Sequence, residues 1–170
     1  MSERTARRAI AANAAASAEN RVTTRKAVGL YRVDYEGRGY VYTQLEANDA
    51  RSAFPCWDEP AFKIPFRVTL TVPSADAAIS NTLEESVVEH DGKRTTVFKV
   101  TRPLPSYLLA VATGPFEFVP IPGTSIPARV VTTKGQSALA GEAVAMTPPI
   151  LAALEQYFGS KHPYEKLDLI

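Results

Sequence analysis

The 170-residue sequence has few of the residues from which common catalytic devices are built. It contains one cysteine, Cys56, which excludes an internal disulfide; with no histidine nearby in sequence, it is expected to be a small apolar residue rather than a nucleophile. The two histidines, His90 and His162, lie in different predicted elements. The sequence therefore lacks a His-Glu-x-x-His zinc motif, and it also lacks a Gly-x-Ser-x-Gly elbow and a glycine-rich phosphate loop.

Charge and hydropathy exclude further classes of protein. A net charge of +1 gives no basis for binding nucleic acid or an acidic membrane surface. No uninterrupted apolar run reaches about 18 residues, so no membrane span is predicted. Residues 1–26 are rich in Ala and Arg and lack the apolar core of a secretory signal, which predicts a flexible tail and a cytoplasmic location.

Short alternating segments separated by turn residues predict a mainly β region over residues 27–135. Asp91-Gly92 is a strong hairpin signal, and Glu36-Gly37-Arg38 is expected to join another pair of strands. The apolar run 107–112 predicts a central buried strand. This spacing favours an antiparallel β-sandwich or a saddle-shaped sheet assembly. The predicted strands are 30–35, 39–45, 66–72, 77–81, 86–90, 94–100, 107–112, 116–119 and 126–132.

The periodicity changes after Gly135. Residues 137–146 are Ala-rich and predict a helix, and Thr147 is expected to cap a second helix that begins at Pro148. Gly159 is the expected stop. The predicted apolar stripe of the second helix consists of Ile150, Leu151, Leu154 and Phe158.

Polar residues alternate with apolar ones at the end of the predicted strand 39–45. A period of two places Tyr42, Gln44 and Glu46 on one face, and the opposite face is expected to be core. A phenol, an amide and a carboxylate on one face at a strand end indicate a binding face.

The segment after Glu46 predicts a compact corner. Asn48 is expected to cap a short helical turn that runs to Ala53, and Arg51 lies within reach of Asp49 or Asp58. The adjacent carboxylates Asp58 and Glu59 suit a turn better than acid–base chemistry. Three aromatic residues are expected to form a buried apolar knot under the corner, namely Phe54, Trp57 and Phe62.

Several segments in fixed order resemble the M1 family of zinc aminopeptidases. They are Val28–Arg32, Tyr42–Lys63, Leu104–Ala110, Gly114–Phe116, Tyr157–Gly159 and His162–Leu169. The resemblance implies that residues 27–135 form an incomplete N-terminal β-domain, and that residues 136–170 begin a thermolysin-like catalytic domain, also incomplete. It places the first strand of that second domain over residues 166–170. It further implies a chain that is truncated at both ends relative to the family.

By this resemblance, Gln44 contacts the first side chain of a peptide substrate and Glu46 helps to hold its free amino group. The complete family enzyme uses zinc, but this sequence carries neither the zinc motif nor the family's Gly-Ala-Met-Glu-Asn loop. We therefore expect peptide N-termini as ligands, no activity from this chain alone, and partnership with the missing catalytic domain or a full-length aminopeptidase. The alternative is a non-enzymatic β-domain that binds peptides or proteins.

Overall fold

The computed structural model describes residues 27–170, so the tail predicted for residues 1–26 lies outside the described part of the chain. The described residues form twelve strands, paired almost entirely in antiparallel fashion, and this confirms the predicted mainly β fold. They divide into two units, the first ending at Gly114 and the second beginning at Pro115. The predicted boundary at residue 135 stays a prediction.

The first unit contains a four-stranded sheet of order β1-β2-β9-β5, a three-stranded sheet of order β4-β7-β6 and the two-stranded pair β3-β8. Its strands are β1 (Gly29–Tyr35), β2 (Arg38–Gln44), β3 (Lys63–Ile64), β4 (Thr69–Pro73), β5 (Ala77–Ser80), β6 (Glu84–His90), β7 (Lys93–Phe98), β8 (Leu104–Pro105) and β9 (Val111–Gly114). A short helix, α1 (Ala50–Ala53), follows β2, and a 3-10 turn covers Ser106–Leu108.

Two-residue turns set the register of both hairpins. Glu36 and Gly37 have φ of 49° and 74°, and Asp91 and Gly92 have φ of 50° and 70°. Positive φ at both central positions is the geometry whose twist matches that of the flanking strands. The structure thus confirms both predicted hairpins, although the first turn is one residue shorter than expected because Arg38 already belongs to β2.

The central strand predicted over 107–112 is present only from Val111, where β9 lies between β2 and β5, and residues 107–110 are not part of a strand. Side chains rather than a neighbouring strand bind the backbone that precedes β9. Asn81 donates from Nδ2 to the Leu108 carbonyl and accepts from the Ala110 amide, both at 2.8 Å. Ser80 donates to the Ala110 carbonyl at 2.9 Å. These bonds satisfy a non-extended backbone, which local apolar character did not indicate.

A small apolar core lies where β4 packs with β5 and β7. Val72, Ala78 and Phe98 are buried there, with Val68 and Leu70 packed against them. The inward alternation predicted along 66–72 therefore holds for the residues that reach this cluster. The regular strand itself is shorter than predicted and starts at Thr69.

The second unit combines a three-stranded sheet of order β10-β11-β12 with one long helix. Its core contains Ile121, Val130 and Ala140, against which Val119 and Leu169 also pack. β12 pairs with β11 in parallel, and the predicted last strand is present. Its elements are β10 (Glu117–Ile121), β11 (Ala128–Thr132), a 3-10 turn (Ser137–Ala140), α2 (Gly141–Phe158) and β12 (Leu167–Leu169).

One helix stands where two were predicted. α2 continues through Pro148 and Pro149, and Thr147 does not cap a new helix. Its hydroxyl instead donates to the Ala143 carbonyl at 2.6 Å, the back-bond that Thr makes inside a helix. Gly159 ends α2 as predicted, with φ of 64° and its amide bonded to the Gln156 carbonyl.

The apolar stripe predicted on the second helix is only partly buried. Leu151 is buried, whereas Ile150, Leu154 and Phe158 are 52%, 48% and 70% exposed. Within residues 27–170, the helical segment Ser137–Phe158 is long and apolar enough to cross a membrane by length and composition alone. A helix in the core of a larger protein has the same two properties, so they do not by themselves indicate a span.

Candidate functional site

Burial falls steadily along one face of β2 towards the end of the strand. Tyr40 is fully buried, Tyr42 is half-buried and Gln44 is exposed. Glu46, also exposed, lies in the turn after β2 rather than in the strand, because regular pairing ends at Gln44. The peptide bond that follows Glu46 is cis. Leu45, between the two polar residues, is 1% exposed and anchors the segment.

The two faces of β2 are less distinct than the sequence predicted. The face opposite Gln44 was expected to be core, and Leu45 on that side is buried. Tyr40, however, shares the face of Gln44 and is completely buried. The face that carries Gln44 is therefore covered at Tyr40 and becomes exposed only at the last residue of the strand.

The corner after Glu46 is held by a buried carboxylate. Asp58 accepts hydrogen bonds from the Arg51 amide at 2.9 Å, from Arg51 Nε at 3.2 Å and from the Ser106 hydroxyl at 2.7 Å. Burial alone would raise the pKa of Asp58, but these three bonds outweigh it and hold the pKa below its usual range. The predicted reach of Arg51 to Asp58 is confirmed. Asp58 is therefore a structural anion within a turn.

The predicted cap of α1 is wrong. The residue at the N-cap is Asp49 rather than Asn48, and its side chain makes no capping bond. The corner is closed instead by the Ser52 hydroxyl, which donates to the Asp49 carbonyl at 2.6 Å. Ser52 also lies against Gly29, where its hydroxyl occupies the space that a Cβ would need, so the absence of a side chain at Gly29 lets α1 approach the start of β1.

The predicted apolar knot does not form. Trp57 is 70% exposed and Phe62 is 50% exposed, with their ring centroids 6.4 Å apart. Phe54 instead meets Phe66 edge to face at 6.2 Å. Cys56 is half-buried, and burial together with the Asp58 carboxylate raises the pKa of its thiol, so it is not an activated nucleophile.

Neither histidine lies in a metal-binding arrangement. His90 is exposed at the tip of a hairpin, where Nδ1 lies 2.8 Å from Asp91. The backbone amide of His162 donates to Glu155 at 2.8 Å, a structural contact. Over residues 27–170, no group of three His, Cys, Asp or Glu side chains is placed to hold a metal ion. These residues do not fit a zinc site.

The geometry defines a β-domain that presents an exposed amide and an exposed carboxylate beside an anchored corner. A model of the Peptidase M1 N-terminal domain matches residues 17–108, so the match begins inside the segment predicted as a tail. The chain belongs to the M1 peptidase family through this domain, as the resemblance predicted.

Relatives with curated names are aminopeptidases. Aminopeptidase M1-B of Oryza sativa is 37% identical over 151 residues, which cover 84% of this chain and 17% of that protein. Aminopeptidase 2 of Candida albicans is 33% identical, over 85% of this chain and 16% of that protein. Aminopeptidase N of Acetobacter pasteurianus is 32% identical over 84% of this chain and 42% of that protein. This chain thus spans less than half of the length of each.

The names of these relatives do not point to a single cellular compartment. One of them, from Saccharomyces cerevisiae, is named as mitochondrial. The cytoplasmic location stays a prediction.

Proposed function

We propose that this chain is the substrate-recognition β-domain of an M1-type zinc aminopeptidase, which removes N-terminal residues from peptides. Glu46 holds the free amino group of the peptide, and Gln44 contacts its first side chain. The observation that carries the proposal is the exposure of both polar residues on either side of the buried Leu45. Family membership supports the substrate class.

The chemistry of the two residues suits these roles. A carboxylate is the natural partner of an ammonium group, and a charge-assisted hydrogen bond is stronger than a neutral one. The Gln44 amide offers both a donor and an acceptor to a neighbouring group. Because Glu46 is exposed, water weakens its attraction for a ligand in this chain, and we expect an affinity change near the low end of charged pairs.

Glu46→Gln should weaken binding of a peptide with a free N-terminus by about three- to tenfold, since it removes the charge but keeps the shape. The measurement is an NMR titration of the 170-residue chain with a tripeptide and with its N-acetylated form. Glu59→Gln, an exposed acid beyond the same corner, is the matched control and should change nothing. Equal affinity of the unmodified chain for both peptides would rule out amino-group recognition.

The catalytic zinc is expected to be held by residues outside this sequence, because the described residues do not fit the metal and the full sequence lacks the motif. The chain supplies binding and orientation of the peptide end.

We accordingly expect no release of chromophore when the pure chain is incubated with an aminoacyl-anilide. A full-length M1 aminopeptidase serves as the positive control. Turnover by this chain that a chelator abolishes would contradict the expectation.

A non-enzymatic binding module is the second candidate. The exposed pair formed by Trp57 and Phe62 favours it, because large aromatic residues are typical anchors of binding surfaces. The same titration separates the two functions. A module of this kind binds acetylated and free peptides alike and loses affinity in Trp57→Ala, whereas Glu46→Gln leaves it unchanged.

A further inference from the structure

Two tyrosine rings lie side by side on the face of β2 that ends at Gln44. The antiparallel register places Tyr31 of β1 directly opposite Tyr42 of β2, so both side chains project from the same face of the sheet. Their ring centroids are 5.7 Å apart with 30° between the planes. Gln44 lies two residues after Tyr42 on that face, about 7 Å further along the strand.

The two rings form an apolar surface, called here the floor, and the polar residues Gln44 and Glu46 at the end of β2 form its rim. Tyr40 below them is fully buried, Tyr31 and Tyr42 are half-buried, and Gln44 and Glu46 at the rim are exposed. An apolar floor with a few convergent polar groups is the usual composition of a small-ligand site.

No β1 side chain fills the place beside Gln44. Its partner in the register is Gly29, against which the Ser52 hydroxyl of α1 packs, so the floor ends beside Gln44 at this one small polar group. The charged residue of β2 on this face is Arg38, which pairs with Tyr35 at the far end of the hairpin. Burial and the neighbouring Tyr31 and Tyr40 raise the pKa of Tyr42, which keeps its phenol neutral. The floor therefore suits an apolar group better than a charged one.

We propose that Tyr31 and Tyr42 form the wall that receives the first side chain of the peptide, and that the site prefers peptides beginning with a long apolar residue. This inference rests on the proposed function, because Gln44 and Glu46 must first hold the amino end. It adds two residues that determine specificity and names the preferred substrate class. A leucine side chain lies against the rings, whereas glycine leaves them uncovered.

The test is an NMR titration of the full chain with Leu-Gly-Gly, Gly-Gly-Gly and N-acetyl-Leu-Gly-Gly. The unmodified chain should bind Leu-Gly-Gly about three- to tenfold more tightly than Gly-Gly-Gly. Tyr31→Ala should bring this ratio close to one by weakening the leucine peptide, and ring proton shifts of Tyr42 should accompany binding of the leucine peptide only. Tyr35→Ala, on the same strand and face but away from Gln44, is the matched control and should keep the ratio.

The outcomes separate this inference from the proposed function. A ratio near one in the unmodified chain, or an unchanged ratio in Tyr31→Ala, overturns the role of the tyrosines while a preference for the free amine upholds the role of Glu46. If the unmodified chain shows no preference for the free amine, or binds no peptide, both the role of the tyrosines and the proposed function are overturned. Should Tyr31→Ala fail to fold, Tyr31→Gln replaces the ring with a polar chain and should also lower the ratio of Leu-Gly-Gly to Gly-Gly-Gly affinity, and an unchanged ratio in this variant overturns the role of Tyr31.

Discussion

Asp58→Ala should lower the free energy of unfolding by about 2–4 kcal/mol, because several donors lose their acceptor at once. The substitution removes the acceptor to which the buried Ser106 hydroxyl and the Arg51 amide donate. The Arg51 guanidinium is largely exposed and can turn to water, so its share of the loss is small. Chemical denaturation followed by Trp57 fluorescence measures the change. A loss below about 0.5 kcal/mol, the usual range for surface substitutions, would show that the bonds contribute little.

The same carboxylate gives the stability a pH dependence with a definite sign. The folded pKa of Asp58 lies below its unfolded value, so its contribution is fully present above the unfolded pKa of about 4. It is lost as the pH falls through the lower folded pKa. Asp58→Asn cannot ionise, and its stability should therefore fall less steeply than that of the unmodified chain below about pH 4. If the stability of both chains fell equally steeply below about pH 4, Asp58 would not be the source of this pH dependence.

Loss of the hydrogen bonds to Asp58 should also weaken peptide binding at the candidate site. Arg51 belongs to α1, which follows Glu46 after three residues, and the Asp58 bond is what holds that helix in the corner. We expect Asp58→Asn to weaken peptide binding while the chain stays folded, since Glu46 loses a fixed position.

The features that sequence could predict are those fixed by neighbouring residues. Glu36-Gly37 and Asp91-Gly92 adopt positive φ for local reasons, so both hairpins followed from the sequence. Gly159 ends α2 by the same kind of local rule. The exposure of Gln44 at the end of β2 followed from the period of an extended chain, whereas Glu46 lies in the turn beyond the strand.

The features that sequence missed depend on partners far along the chain. Asn81 and Ser80 bind the backbone of residues 108–110, and no local pattern indicates that two polar side chains will replace a strand there. Ser106 reaches Asp58 across 48 positions. The continuous α2 is a different case, because here the local signal itself was misleading. Thr147 and the two prolines after it are typical of a helix start, but all three lie inside one helix.

The aromatic corner shows where composition misleads. The sequence predicts that Trp57 and Phe62 are buried, yet both are exposed, whereas Phe54 packs edge to face against Phe66. Hydrophobic residues are common on protein surfaces, so apolar character alone does not assign a side chain to the core. The Tyr31–Tyr42 pair likewise emerged only when the register of β1 and β2 was known.

Gly114→Ala should destabilise the chain by about 3 kcal/mol, because two effects add at one position. Gly114 has φ of 153°, a conformation that residues with a side chain rarely adopt. A Cβ there would lie 2.6 Å from the Tyr40 ring and 3.3 Å from the Gly39 carbonyl oxygen. Tyr40 is fully buried, so its ring cannot turn away into solvent.

Gly92→Ala is the control that separates backbone strain from packing. Gly92 also has a positive φ, of 70°, but a Cβ there would meet nothing within 4 Å, so we expect a loss of only about 1 kcal/mol. Thermal and denaturant unfolding of the two variants measures the difference. Because Tyr40 precedes Tyr42 and Gln44 on the same face of β2, Gly114→Ala should also displace the binding face and weaken peptide binding, which Gly92→Ala should not. Equal stability losses in the two variants would show that Tyr40 yields to the added methyl group.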